Sequence, residues 1–287
     1  MDTRFWGPSG WRLLHLTMFG APQLPTSSQD DLKIFVRNLP FVLPCKYCRA
    51  SLTDYYGADP PPMLASAPAG ASAAAWMYRI HNRVNGKLRE QKLIEGADPA
   101  WAEVKARYKQ WLGAPCSTRR MVGWDFLFSV AYTTPSPRVA SAPMPGAPPR
   151  DTLAHDDTLL NRWNMLSREA RIPYIRDWWA ALPAVLPFAE WRDAWTAAVK
   201  AHGHAPVTAG RKAVTAWLYK MEKSVCQTLA EQVPHNSFEG LCSELATFSS
   251  GCGTSKKSKT CRATKRTARD TLKKRRRTTY RATGGYL

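Results

Sequence analysis

The chain has 287 residues, 44% of them hydrophobic, with 12 tryptophans and a net charge of +19, which is enough for one large or two ordinary domains around a packed core. The charge is uneven: thirteen Lys/Arg and one acid, Asp270, lie between Lys256 and Arg281 and supply about two-thirds of the excess. No run reaches the ~18 apolar residues of a membrane span, and Met1-Asp2-Thr3-Arg4 enters Phe5-Trp6-Gly7 with no apolar signal-peptide core, so a soluble, not conventionally secreted protein is expected.

Helical periodicity dominates and no convincing alternating strand is present, so the fold class is all-α. Trp11, Leu14, His15 and Met18 share one helix face, with Pro8 and Ser9 placed where that helix would start. Asp30 to Asn38 reads as a second helix with acids in its first turn. Cys45 to Tyr56 reads as a third, ended by Gly57 and followed by a Pro/Ala/Gly/Ser loop over 58–73. Ala74 to Leu88 is a fourth, and Pro99 to Leu112 and Met121 to Tyr132 are two more. A Pro/Ser/Ala-rich linker follows over 133–151, a second helical segment runs over 152–248, and the basic tail over 249–287 is low-complexity, expected to be disordered until bound.

A repeat hides in this layout. Leu39-Pro-Phe-Val-Leu-Pro-Cys-Lys-Tyr-Cys-Arg49 returns as Leu182-Pro-Ala-Val-Leu-Pro-Phe-Ala-Glu-Trp-Arg192, identical at six of eleven positions. Ala75-Trp-Met-Tyr-Arg79 returns as Ala216-Trp-Leu-Tyr-Lys220 at nearly the same offset. The second stretch has Phe188 and Trp191 in place of Cys45 and Cys48, and Glu222 and Lys223 in place of His81 and Asn82. A duplicated helical domain whose second copy lost its chemical groups is expected.

Cys45-Lys-Tyr-Cys48 opens a helix. Two cysteines three apart there can close a disulfide, and a helix N-terminus favours the thiolate that attacks and leaves. The same pair can be half of a zinc site, but that needs a second ligand pair, and none of suitable spacing lies nearby. No metal site is expected. Seven cysteines in such a chain read as catalytic or metal-binding more readily than as a structural disulfide framework. On the fourth helix Tyr78, His81, Asn82 and Asn85 form a polar stripe beside Met77, Ile80, Val84 and Leu88. Such a stripe can simply face water, or it can line a cavity and hold a polar cofactor. His15, taken singly, reads as a core histidine.

Together, Trp11-Arg-Leu-Leu-His15, Pro44-Cys-Lys-Tyr-Cys48 and His81-Asn-Arg-Val-Asn85 resemble the ordered signature of the Erv/ALR sulfhydryl oxidases, well over residues 4–90 and loosely over 91–132. The wording of Phe5-Trp-Gly-Pro-Ser and Leu43-Pro-Cys-Lys-Tyr-Cys-Arg resembles versions from large cytoplasmic DNA viruses. The resemblance implies an Erv-like bundle over residues 1–132 that holds FAD, and an enzyme that makes disulfides in protein thiols and passes the electrons to oxygen, giving hydrogen peroxide. It implies that Cys48 sits against the flavin and that Cys45 is the outer sulfur exchanging with substrate. Trp6, Gly7, Trp11, His15, His81, Asn82, Val84, Asn85 and Lys87 would line the cofactor. The sequence departs from the family in reading Phe19-Gly-Ala-Pro22 where a Tyr-Pro often ends the first helix. Family members often carry a second, structural disulfide after the fourth helix; only Cys116 is available in that region, so that brace is expected to be absent.

The second copy resembles the degenerate domain of quiescin sulfhydryl oxidases. Residues 152–248 are therefore expected to take the place of a dimer partner, an internal pseudo-dimer with Trp178, Trp179, Trp191, Trp195 and Trp217 in core and interface; a homodimer through another surface stays open. Cys252 and Cys261 can act as a shuttle pair, or be plain surface thiols. The basic tail can bind nucleic acid, serve nuclear targeting or steer acidic substrates. Partners implied are protein thiols, a thioredoxin-like carrier or virion proteins, in the host cytoplasm or virion, with no membrane. The competing reading is a basic nucleic-acid-associated structural protein with a non-catalytic or metal-binding CxxC.

Overall fold

A computed structural model describes residues 1–64, 72–135, 142–153 and 155–249. Among them the regular elements are all helical. They are α1 (Thr3–Gly20), α2 (Gln29–Val42), α3 (Lys46–Ala58), α4 (Ala73–Glu90), α5 (Trp101–Gly113), α6 (Trp124–Tyr132), α7 (Asp157–Arg162), α8 (Arg168–Val185), α9 (Ala189–His202), α10 (Arg211–Thr228) and α11 (Phe238–Ser249), with short 3₁₀ turns between. None is long and apolar enough to cross a membrane. The basic tail, with Cys252 and Cys261, lies outside the described residues.

Two boundaries differ from the sequence reading for definable reasons. α1 opens at Thr3 rather than at Pro8, because the Asp2 carboxylate accepts the Arg4 amide (3.0 Å) and pairs with its guanidinium. α2 continues through Pro40 to Val42 instead of stopping at Asn38. Proline at position 40 cannot bond the Val36 carbonyl one turn back. The Tyr56 hydroxyl donates to that oxygen instead (3.0 Å), so the helix continues without an orphaned acceptor.

The repeated stretches adopt matching geometry. Leu43 (φ −51°, ψ 133°) ends α2 and Leu186 (φ −59°, ψ 136°) ends α8. Cys45 caps α3 in extended conformation, and Phe188 caps α9 likewise. Arg49 Nη1 donates to the Leu43 carbonyl (3.1 Å), as Arg192 Nη1 does to Leu186 (2.8 Å). Trp76 Nε1 donates to Asp59 O and Trp217 Nε1 to Gly203 O, both at 2.9 Å. The Tyr78 hydroxyl donates to Pro99 O and that of Tyr219 to Asn236 O. α4 and α10 both end in a left-handed residue, Lys92 and Ala230, closed by a bond to the carbonyl five residues back from the next amide.

The α2–α8 pairing is the most extensive helix contact among the described residues. Phe35 and Trp178, each four residues ahead of its repeated stretch, stack on each other at 5.1 Å. Phe41 stacks on Tyr174 at 3.9 Å, and Asn38 Nδ2 donates to Tyr174 O. Trp178, Trp179, Trp191, Trp195 and Trp217 are all buried, at most 6% exposed. α6 lies against both α1 and α10. There a Cβ on Gly10 would come 3.1 Å from the Phe126 ring, and one on Gly123 would come 2.7 Å from Leu13 Cδ2. Gly123 also has φ +103°, so both backbone and contact require glycine.

Candidate functional site

α1 and α4 cross so that the polar side chains of both meet inside the bundle. The His81 ring stacks on Trp11 (3.8 Å, 10°), and His15 Nε2 lies 3.0 Å from His81 Nδ1. Both imidazoles are fully buried. Burial lowers the pKa of His15 well below its usual value, with His81 adding a little, and burial lowers that of His81 to about 3. Both rings are therefore neutral, and one N–H bridges them. Whichever ring donates, the outward nitrogens, His15 Nδ1 and His81 Nε2, are left as one acceptor and one donor. Neither has a protein partner.

These atoms have company. Trp6 Nε1, Asn82 Oδ1, Asn85 Oδ1 and the Tyr108 hydroxyl are also buried without a hydrogen-bond partner. Buried polar atoms are normally paired, and these six, among seven such atoms on α1, α4 and α5, suit a polar ligand that supplies the missing bonds. Gly7 is buried, yet a Cβ there would meet nothing within 4 Å. Val84 is half-buried on α4. Tyr78 belongs to the stripe by spacing, but its hydroxyl is already bonded to Pro99 O (2.8 Å).

The cysteine pair lies on the adjoining helix. Cys45 is the cap residue of α3 and is fully buried; Cys48, in its first turn, is half-buried. Lys87 Nζ donates to Ser51 Oγ (2.6 Å), joining α4 to α3 one turn beyond Cys48. Accessibility thus runs opposite to the expected roles, since the sulfur taken as the outer one is the covered one. Cys116 is exposed and Cys242 half-buried on α11. Among the described residues no three His, Cys, Asp or Glu side chains converge as a metal site would require.

Two site residues escaped the sequence reading. Tyr108 of α5 stacks on His15 (5.0 Å, 19°) and on Phe19, and burial raises its pKa. Asp98 accepts from Asn85 Nδ2 (2.8 Å) and from Arg89. The Arg89 guanidinium, helped by Asn85, holds its carboxyl below the usual range. The only signal for Tyr108 was its spacing four residues after Val104, which marks a core position as readily as a site. Asp98 lies between helices, where periodicity says nothing.

Fold and site define a class: an all-α bundle with a cysteine pair at the start of one helix, a bond from Lys87 tying that helix to α4, and a buried cluster of neutral histidines and amides on α1 and α4. Residues 8–109 match the Erv1 / Alr family. The chain is 32% identical over 92 residues to the mitochondrial FAD-linked sulfhydryl oxidase ERV1 of Saccharomyces cerevisiae, a match covering 32% of this chain and 47% of that protein. It is 27% identical over 95 residues to a protein of Invertebrate iridescent virus 3 (32% of this chain, 62% of that one). It is 29% identical over 99 residues to one of Invertebrate iridescent virus 6 (33% and 89%). Both viral proteins are named as FAD-linked sulfhydryl oxidases. The match thus spans about half of the yeast relative and under two-thirds of the first viral one. No solved structure matches the chain.

Proposed function

We propose that the chain is an FAD-linked thiol oxidase that makes disulfides in protein thiols. The observation that carries this reading is the set of unpartnered buried polar atoms from His15, His81, Asn82 and Asn85, inside the segment that matches the Erv1 / Alr family and also carries Cys45 and Cys48. Trp6, Gly7, Trp11, His15, His81, Asn82, Val84, Asn85 and Lys87 would hold FAD, with Tyr108 added. The neutral His15–His81 pair offers it one donor and one acceptor without burying a charge. Bound FAD would take up an electron pair and deliver it to oxygen, giving hydrogen peroxide.

The protein's own part is thiol–disulfide exchange. A substrate thiolate attacks Cys45 Sγ of the Cys45–Cys48 disulfide. The Cys45–Cys48 bond breaks and Cys48 leaves as a thiolate, favoured at the start of α3. A second substrate thiolate attacks the substrate sulfur of the mixed disulfide, which frees Cys45 and yields the substrate disulfide. Because Cys45 is fully covered in the closed structure, the first step requires the turn before α3 to open. Protein thiols of a virion or of a thioredoxin-like carrier in the host cytoplasm are the proposed substrates, the viral relatives being the support for that setting. Cys252 and Cys261 are proposed only as a shuttle.

We also propose that the second half is a degenerate copy in the place of a dimer partner, beginning at α6 rather than after it. Gly123-Trp-Asp-Phe-Leu-Phe128 aligns with Gly10-Trp-Arg-Leu-Leu-His15, and the contacts of Gly10 with Phe126 and of Gly123 with Leu13 are reciprocal. In that copy Phe128 stands for His15, Glu222 for His81, and Phe188 and Trp191 for the cysteines. One FAD per chain follows.

The test is a visible spectrum of the purified protein before and after anaerobic dithiol, with Cys45→Ser and Cys48→Ser alongside. A flavin spectrum that bleaches and recovers in air, with turnover lost in both variants, is expected. A colourless protein, or either variant turning over normally, would overturn the reading. The nucleic-acid-associated alternative has no feature among the described residues in its favour.

A further inference from the structure

We infer that Asn164, from outside the Erv1 / Alr-matched segment, is the positioning residue that keeps the turn carrying Cys45 closed. Three residues of the second half grip both arms of that turn. Asn161 Nδ2 donates to Pro40 O (3.0 Å), ahead of the turn. Arg162 pairs with Asp54 (2.7 and 3.0 Å), beyond it on α3. Between them the Asn164 Oδ1 accepts from Arg49 Nη2 (2.8 Å), while Nη1 of the same guanidinium holds the Leu43 carbonyl, two residues before Cys45. Arg49 and Asn164 are both buried.

The side chain is fixed for this task. Asn164 Nδ2 donates to Ala142 O (2.7 Å), which turns Oδ1 toward Arg49. Its backbone sits at φ +58°, a conformation that asparagine tolerates better than most residues. The comparison within the molecule separates scaffold from clamp. Arg192 makes the same bond to Leu186, but among the described residues its side chain has no partner corresponding to Asn164. The turn it braces carries Phe188, which has nothing to expose. The additional bond is present only where the turn carries a cysteine that the proposed exchange must uncover.

The inference rests on the proposed exchange at Cys45, but its test does not need flavin turnover. Reduced full-length protein is pulsed with iodoacetamide, and the labelling of Cys45 and Cys48 is resolved by mass spectrometry. Loss of one charge-assisted hydrogen bond shifts a local opening equilibrium about tenfold. Asn164→Gly, which suits the positive φ, should therefore raise Cys45 labelling about tenfold and leave Cys48 within about twofold. Asn164→Asp keeps the acceptor for Arg49 but gives up the bond to Ala142 O, so its labelling should fall between those of the wild type and Asn164→Gly. Arg49→Lys, with one donor group for two acceptors, should reproduce the glycine result and carries the test if Asn164→Gly does not fold. Equal Cys45 labelling in wild type and in folded Asn164→Gly, or in wild type and folded Arg49→Lys, overturns the inference. The spectrum with dithiol judges the oxidase reading separately: its failure leaves the labelling result standing.

Discussion

Trp178→Ala probes the seam between the two halves. Trp178 is fully buried, stacks on Phe35 (5.1 Å) and meets Phe126 (6.0 Å) and Trp179 (5.1 Å) edge-on. A tryptophan buries roughly 150–250 Å², about 4–6 kcal/mol at 25 cal/mol per Å². Large-to-small substitutions of this kind cost about 3–5 kcal/mol in practice. The neighbours are rings on three helices and cannot collapse into the space, so a loss of about 4 kcal/mol is expected. At about 2–4 °C per kcal/mol for a chain of this size, the melting temperature should fall by roughly 8–16 °C. The assay is guanidinium unfolding followed by far-UV circular dichroism and by tryptophan fluorescence. Both probes should report one transition, displaced to lower denaturant with unchanged slope. A loss below about 1 kcal/mol, or two separate transitions with only one displaced, would refute the view that α2 and α8 share one core.

Other predictions follow from the same contacts. Flavin released by denaturation should amount to one FAD per chain; two per chain would show that Phe128, Glu222, Phe188 and Trp191 do not block the second copy. The lowered pKa values of His15 and His81 make the unfolded state bind more protons below its own histidine pKa, near 6.5. Stability should thus be full above about pH 6.5 and fall as pH drops toward 3, by at most about 1.4 kcal/mol per pH unit per histidine. His81→Gln should flatten that decline in a series of melting curves, and an unchanged slope would count against the neutral pair. His235 Nδ1 lies 2.7 Å from the fully buried Glu222. Burial raises the pKa of Glu222, and the carboxylate raises that of His235 against burial. His235→Ala should then destabilise more at pH 8, where Glu222 is left as an unpaired buried charge, than at pH 5, where it takes up a proton more readily. Equal losses at both would mean that the pair is not ionised.

Much of the site was legible because its chemistry sits in short motifs. Trp11, His15, His81 and Asn85 recur at helical spacing, and α1 and α4 bring them together. The repeat was legible at Leu39–Arg49 and Leu182–Arg192 because one backbone turn demands leucine, proline and the arginine that ties its carbonyl. The likeness of α6 to α1 was not, since Trp124-Asp-Phe-Leu-Phe128 shares only a tryptophan and a leucine with Trp11-Arg-Leu-Leu-His15. Pro40 misplaced the end of α2, because the hydroxyl that replaces its missing bond comes from Tyr56, sixteen residues further on. The burial of Cys45 depends on segments remote in the chain, and Asn164 lies where the sequence reads only as part of the second helical segment. Local rules see spacing; they do not see which distant carbonyl an amide will reach.

The α2–α8 seam has a consequence for dilution. Two separate chains meeting through such a face would come apart as their concentration fell, and whatever each borrowed from the other would go with them. Here both faces are joined by the same backbone, so the local concentration of one for the other is set by the connection and not by expression level. The α2–α8 contact is as complete in the first copies made in a cell as in the last.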